Sequence, residues 1–294
     1  MKYQVISDSS CDLPGEIIEE RKIKVVPFYV AFGDEEYKQE IVDIEAKDFF
    51  AQMIEKKGVY PKTSCPSVQD FYDVFENYVQ KKMPVICICI TTKFSGSMQA
   101  ALNAKNMILE EYEDAQITVI DSQVNTVLQG MYTLEACRLR DEDCEYEEAV
   151  ERLLNIRDTG RIFFTIGSID YLQHGGRIGK VAGIAANLLN IKPMITLKDG
   201  EIFSSGMARS RKKSLDKVID MLLSYVEEQV DDMSNYNLCI GYGSSIQEGA
   251  DLRKLALEHL GEYGIDDIPL RQIGAAIGVH TGPYPIGIAI LRKA

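Results

Sequence analysis

The strongest constraint on the fold of this chain is the run Val85-Ile86-Cys87-Ile88-Cys89-Ile90, six apolar residues in succession. A strand with one wet face alternates apolar and polar residues. An unbroken run belongs to a strand covered on both faces, the condition of a parallel sheet flanked by helices. The surrounding segments read the same way. Residues 3–6 and 24–32 read as strands, and 44–56 as an amphipathic helix. Across 66–81, Phe71, Val74, Phe75, Tyr78 and Val79 recur at spacings of three and four, which predicts a helix. Ser67-Val68-Gln69-Asp70 fits a capping box at its start. A helix over 95–112, a strand over 117–120 and a helix over 127–140 follow. Strand–helix alternation implies a parallel sheet with right-handed crossovers.

The second half changes character. A helix over 145–158 is stopped by Asp158-Thr159-Gly160, and 161–166 reads as a strand. A helix is expected over 178–189. A hairpin is expected from 193–197 to 201–203 across Lys198-Asp199-Gly200. A helix over 210–228, a strand over 238–241 and a helix over 249–260 come next. Strands around Ile277 and over 286–291 close the chain. The expected fold class is α/β: an N-terminal parallel-sheet α/β domain over 1–160 and a C-terminal α+β domain over 161–294. No low-complexity linker separates the two, so they should pack closely.

Composition narrows the function classes. Lys and Arg number 32 against 45 Asp and Glu, a formal net charge of -13. Such a surface repels phosphate backbones and anionic lipid headgroups, which argues against general nucleic-acid binding and stable membrane anchoring. Seven cysteines without a C-x-x-C pair do not form a disulfide framework. The start Met1-Lys2-Tyr3-Gln4-Val5 has no signal-peptide character, and no stretch of about 18 apolar residues occurs. The expected compartment is a reducing cytoplasm.

Candidate chemistry lies where hydroxyls cluster between strands and helices. The clusters are Ser7-Asp8-Ser9-Ser10, Thr63-Ser64-Cys65-Pro66-Ser67, Thr91-Thr92-Lys93-Phe94-Ser95-Gly96-Ser97 and Asp121-Ser122. In an open parallel sheet, ligands bind beyond the carboxyl ends of the strands, where helix starts favour an anion. Each cluster is also ordinary helix-capping material. Together they suggest a polar, mostly uncharged rim suited to one carboxylate or to sugar hydroxyls. Gly175-Gly176-Arg177-Ile178 offers a forked donor beside a glycine pair, and Gly278-Val279-His280-Thr281-Gly282-Pro283 places a histidine in an expected late loop. Familiar motifs fail. The spacing from Gly175 to Gly179-Lys180 is one residue short of a phosphate loop, with Val181 where Ser or Thr should stand. There is no zinc spacing and no G-x-S-x-G elbow. Cys65 at a helix start, with His280 as base, is a weak nucleophile candidate lacking a third orienting group.

These segments, in order from residue 7 to residue 283, resemble the DegV family of bacterial fatty-acid-binding proteins. The first-half matches are Ser7-Asp8-Ser9-Ser10-Cys11-Asp12-Leu13, Thr63-Ser64-Cys65-Pro66-Ser67, Phe94-Ser95-Gly96-Ser97 with Gln99, and Asp121-Ser122. The second-half matches are Gly175-Gly176-Arg177-Ile178, Ile191-Lys192-Pro193 with Asp199-Gly200, and His280-Thr281-Gly282-Pro283. The resemblance implies a long-chain fatty acid such as palmitate buried between the two domains. It implies a carboxylate held by Thr63 and Ser95, with Ser64, Gly96, Arg177 and His280 at the same polar end. It also implies no cofactor beyond the bound fatty acid, no catalysis of the chain's own, and a separate ATP-dependent fatty acid kinase subunit as partner. Two departures stand out. Ser7 replaces the family's Thr, and Tyr284-Pro285 follow where small residues are usual. The competing expectation is a lipid hydrolase or acyltransferase using Ser95 or Cys65 with His280.

Overall fold

The computed structural model describes residues 2–56, 58–181 and 191–294. The first part of the chain runs β1 (Gln4–Asp8), α1 (Gly15–Glu20), β2 (Lys24–Val26), β3 (Tyr29–Phe32), β4 (Lys38–Gln39), α2 (Ala46–Glu55), β5 (Pro61–Ser64), α3 (Val68–Val79), β6 (Val85–Cys89), α4 (Ser97–Glu111), β7 (Ile117–Asp121), α5 (Thr126–Asp141) and α6 (Tyr146–Ile156). The second runs β8 (Arg161–Thr165), α7 (Asp170–His174), β9 (Lys192–Lys198), β10 (Glu201–Ala208), α8 (Arg211–Gln229), β11 (Tyr236–Tyr242), α9 (Ile246–Leu260), β12 (Leu270–Gln272), α10 (Ala275–Thr281) and β13 (Ile286–Arg292).

The apolar run forms β6, inside a parallel sheet of order β2-β1-β6-β7. All five residues of β6 are buried. Cys87 and Cys89 pack with Phe71 and Phe75 of α3 and Ala101 and Ala104 of α4, while Ile86 and Ile88 pack with Leu128 and Tyr132 of α5. Period-two alternation across a sheet covered on both sides accounts for the unbroken run. The capping box at α3 is present: Asp70 N donates to Ser67 Oγ (3.1 Å) and Ser67 N to the Asp70 carboxylate (2.7 Å).

The second part holds a mixed sheet of order β10-β9-β8-β13-β11-β12, in which only β11 and β12 pair parallel. The β9–β10 hairpin turns at Asp199 and Gly200, both at positive φ (53° and 78°), the geometry of a primed turn. Helix α5 lies between the two sheets. Its buried face shares one core with Val5 and Ile86 on one side and with Ile162, Ala289 and Leu291 on the other.

Three expectations change. The strand expected over 24–32 is two strands in different sheets. Pro27 lacks the N–H a ladder needs, so β2 ends at Val26 and β3 joins the small antiparallel sheet β4-β3-β5. The strand expected around Ile277 is helix α10, whose Ala275, Ala276, Ile277, Gly278 and Val279 are all buried. A short apolar run buried on every side carries no period to separate helix from strand. The helix expected over 178–189 lies, from 182 onward, outside the described residues; residues 178–181 close a turn, with Val181 N donating to Ile178 O. Among the described residues, no helix is long and apolar enough to cross a membrane.

Candidate functional site

A cleft of about 750 Å³, counting its open mouth, lies between the two parts. From the first part come Phe28, Thr63, Cys65, Ile90, Phe94, Ser95 and Gly96. Phe164, Leu172, Arg177, Ile202 and one face of α10 come from the second. Most of the wall is hydrocarbon or aromatic, and its polar groups include Thr63, Ser95, Arg177 and His280.

Thr63 is not in a loop; it sits in β5, paired with Val30 of β3. Successive strand residues point to opposite faces. Thr63 therefore lines the cleft, while Ser64 is exposed and directs its hydroxyl to its neighbour, Cys65 O (3.4 Å). Ser95 lies in the turn before α4. Its Oγ accepts from Ser97 N (3.1 Å), which leaves the hydroxyl proton to donate. Gly96 is the N-cap of α4, a 15-residue helix whose positive end faces the cleft.

His280 sits in the last turn of α10 rather than in a loop. Its Nε2 is 3.4 Å from Thr63 Oγ1. Burial lowers its pKa to about 4, and the charge of Arg177 acts in the same direction. The ring is therefore neutral near pH 7 and supplies no counter-charge. Gly175 explains the glycine pair before Arg177: a Cβ there would fall on His280 Nδ1. The two second-half motifs are thus packed face to face. Arg177 is exposed at the mouth and donates from Nε to Phe94 O (3.0 Å) and from one terminal nitrogen to Gly175 O (2.7 Å). It ties the second part to the turn that carries Ser95.

Most hydroxyls of two of the four clusters are consumed inside the protein, with Ser10 alone of these serines lining the cleft, so the expected continuous rim is narrower. Asp8 is fully buried and accepts four hydrogen bonds, from Ser10 Oγ (2.6 Å), Gln129 Nε2 (2.8 Å), Ile90 N (3.0 Å) and Ser97 Oγ (2.7 Å). Burial raises its pKa, and these four bonds pull the other way. Ser9 Oγ donates to Glu40 (2.5 Å) and Ser122 Oγ to Cys89 O (2.7 Å). These bonds shape the floor beneath the cleft. Nearby, the buried carboxyl groups of Asp12 and Glu40 converge on Gly274, the N-cap of α10, where a Cβ would collide with both.

The bonds a nucleophile–base pair needs are not those formed. Thr63, not Ser95 or Cys65, is the residue within reach of His280 Nε2, and His280 Nδ1 has no partner among the described residues. Nor do the described residues contain a group of three or more His, Cys, Asp or Glu side chains able to hold a metal ion.

A model of the DegV family, described as one of uncharacterised proteins, matches residues 2–293. The chain belongs to the DegV family. A DegV domain-containing protein of Clostridium perfringens is 29% identical over 294 residues, covering 100% of both chains. A solved structure of a stearic-acid-binding protein from Eubacterium ventriosum is 40% identical, with a TM-score of 0.92, and covers 99% of this chain and 98% of its own. A fatty-acid-binding DegV family protein from Thermus thermophilus is 27% identical, with a TM-score of 0.88, covering 99% and 100%.

Within this DegV frame, the motif residues on the cleft include the polar Thr63, Ser95, Arg177 and His280 and the aromatic Phe94, but leave out most of the apolar wall. Phe28, Phe164, Leu172 and Ile202 lie outside every motif, and they sit on four separate elements or turns. In sequence each reads as an ordinary core residue. The pair Asp12–Glu40 was also missed, since nothing in a sequence relates a carboxylate at 12 to one at 40.

Proposed function

We propose that the chain binds a long-chain fatty acid in this cleft without catalysing a reaction on it. Thr63 and Ser95 donate hydrogen bonds to the carboxylate, Gly96 and Arg177 contribute positive potential, and the acyl chain lies along the apolar walls between an N-terminal domain ending near 160 and a C-terminal one. The supporting observation is the pairing of the Thr63 and Ser95 hydroxyls with a mostly apolar wall, in a chain 40% identical to a stearic-acid-binding protein. Each buried CH₂ contributes about 0.8 kcal/mol, so the tail supplies most of the affinity and the hydroxyls fix orientation. With the Nε2–H tautomer, His280 donates to Thr63 Oγ1 and leaves the threonine proton for the carboxylate.

Arg177 and Ser95 at the open mouth favour a bound acid whose head remains accessible. This supports presentation of the carboxylate to an ATP-dependent acyl kinase, and the sequence itself carries no phosphate loop. Against a hydrolase stands the absence of a bond from His280 to either candidate nucleophile among the described residues.

Solvent extraction of the denatured protein followed by mass spectrometry should return close to one fatty acid per chain. Thr63→Val and Ser95→Ala should each weaken fatty-acid binding about tenfold, the loss of one charge-assisted hydrogen bond at about 1.5 kcal/mol. Unchanged affinity in the double variant would remove these two residues from the site. Turnover of acyl esters that disappears in His280→Ala would favour the hydrolase.

A further inference from the structure

A second space, almost wholly apolar and about 400 Å³ counting its open mouth, adjoins the cleft. Its walls share Asn125, Phe164, Ile277 and Thr281 with the cleft, so the two are separated by side chains and not by backbone. Alternation along β8 sends Ile162 and Phe164 toward α5 and Phe163 into the core on the opposite face of the sheet. The Phe164 ring therefore stands on the wall between the two chambers. Beside it, Gly287 of β13 pairs in register with Phe164 and, on its other side, with Gly241 of β11. Two adjacent glycines leave a trough without side chains in the sheet, roofed by Val127 and Ile273. A sheet centre is an unfavourable place for glycine unless something approaches the backbone closely. Here Phe164 presses on Gly287, and Val127 and Ile273 close to within 3.2–3.4 Å of where a Cβ on Gly241 would stand, so a longer chain displaces flexible side chains and not backbone.

We infer that cleft and rear cavity form one acyl channel, in which Phe164 is the gate and the Gly241–Gly287 trough sets the longest chain accepted. The inference rests on the fatty-acid reading above and adds to it a determinant of chain length. A short acid ends before the ring, and a longer one turns Phe164 aside and enters the trough. Ring rotation about χ1 exchanges one apolar neighbour for another and breaks no hydrogen bond.

The experiment is a binding series with saturated acids from decanoate to eicosanoate on the full chain, its endogenous lipid removed. Ile273→Phe and Gly241→Val add bulk to the rear cavity, and Phe164→Ala removes the gate. The readout is the octadecanoate-to-decanoate affinity ratio, which cancels any uniform loss from imperfect folding. It should fall at least tenfold in the two filled variants and rise several-fold in Phe164→Ala. A ratio unchanged in all three would overturn the channel, because the tail would then end before Phe164. Equal loss at every chain length would overturn it too, since these residues would then only support the fold. Failure of the unmodified chain to bind any acid of the series would instead defeat the fatty-acid reading itself.

Discussion

Asp8→Ala should lower the unfolding free energy by about 4 kcal/mol and Tm by roughly 10 °C. Four donors converge on this carboxylate, and none of them reaches water. Removing the acceptor leaves Ile90 N, Ser97 Oγ, Ser10 Oγ and Gln129 Nε2 to find new partners in a close-packed interior. An unsatisfied buried donor costs about 1–3 kcal/mol, and partial rearrangement recovers some of that. Asp8→Asn keeps the shape and one acceptor oxygen, so its loss should be about half. The damage should reach the ligand. Asp8 holds both the end of β6 and the first turn of α4, the two anchors of the segment carrying Ser95. Chemical denaturation of the three proteins, paired with fatty-acid titrations, measures both effects. A loss below about 1 kcal/mol for Asp8→Ala would show that the network is not what sets this loop.

Glu40→Gln should reverse a pH dependence. Burial pushes Glu40 up to about 7, against the hydrogen bonds from Ser9, Ala276 and Ala275 that favour its ionised form. Burial also raises Asp12 well above its usual range, and the nearby Glu40 adds to the rise. A folded-state pKa above the unfolded value of 4.5 means that the folded chain holds a proton the unfolded chain has released. Stability therefore falls as pH rises from about 4.5 to about 7, by about 3 kcal/mol for Glu40. His280 acts in the opposite sense. Its pKa is lowered from 6.5 to about 4, so it costs stability as pH falls through that range. The two slopes oppose each other below pH 6.5, and Glu40 dominates above it.

A glutamine cannot ionise, and its amide can accept from Ala276 N while donating to Ser9 Oγ. The variant should match or fall below the parent near pH 5 and exceed it by about 2 kcal/mol at pH 8. Both proteins retain His280, so the difference between their curves isolates the acid pair. Parallel stability curves from pH 5 to pH 8 would mean that burial does not raise the Glu40 pKa.

The sequence alone determined what depends on neighbours a few residues away. The covered strand at Val85–Cys89, the capping box at Ser67 and the Asp199-Gly200 turn each follow from local periodicity or local φ, and each is where the pattern puts it. The motif residues Thr63, Ser95, Gly96, Arg177 and His280 all line the cleft. Tertiary structure decided the direction in which side chains are spent. Ser9, Ser10 and Ser122 look like Ser95 in sequence, yet they turn inward to Glu40, Asp8 and Cys89 O. Thr63 and Ser64 differ by one position and face opposite ways. Ile277 reads as strand and is helix, because its burial comes from both parts of the chain at once. The contacts responsible span 89 residues for Asp8 with Ser97, 217 for Thr63 with His280 and 236 for Glu40 with Ala276. A local pattern records the period at which a segment hydrogen-bonds to itself or its neighbour. It holds no record of which distant group arrives to accept a hydroxyl's proton, and that arrival separates a serine spent inside the fold from one left on the cleft wall.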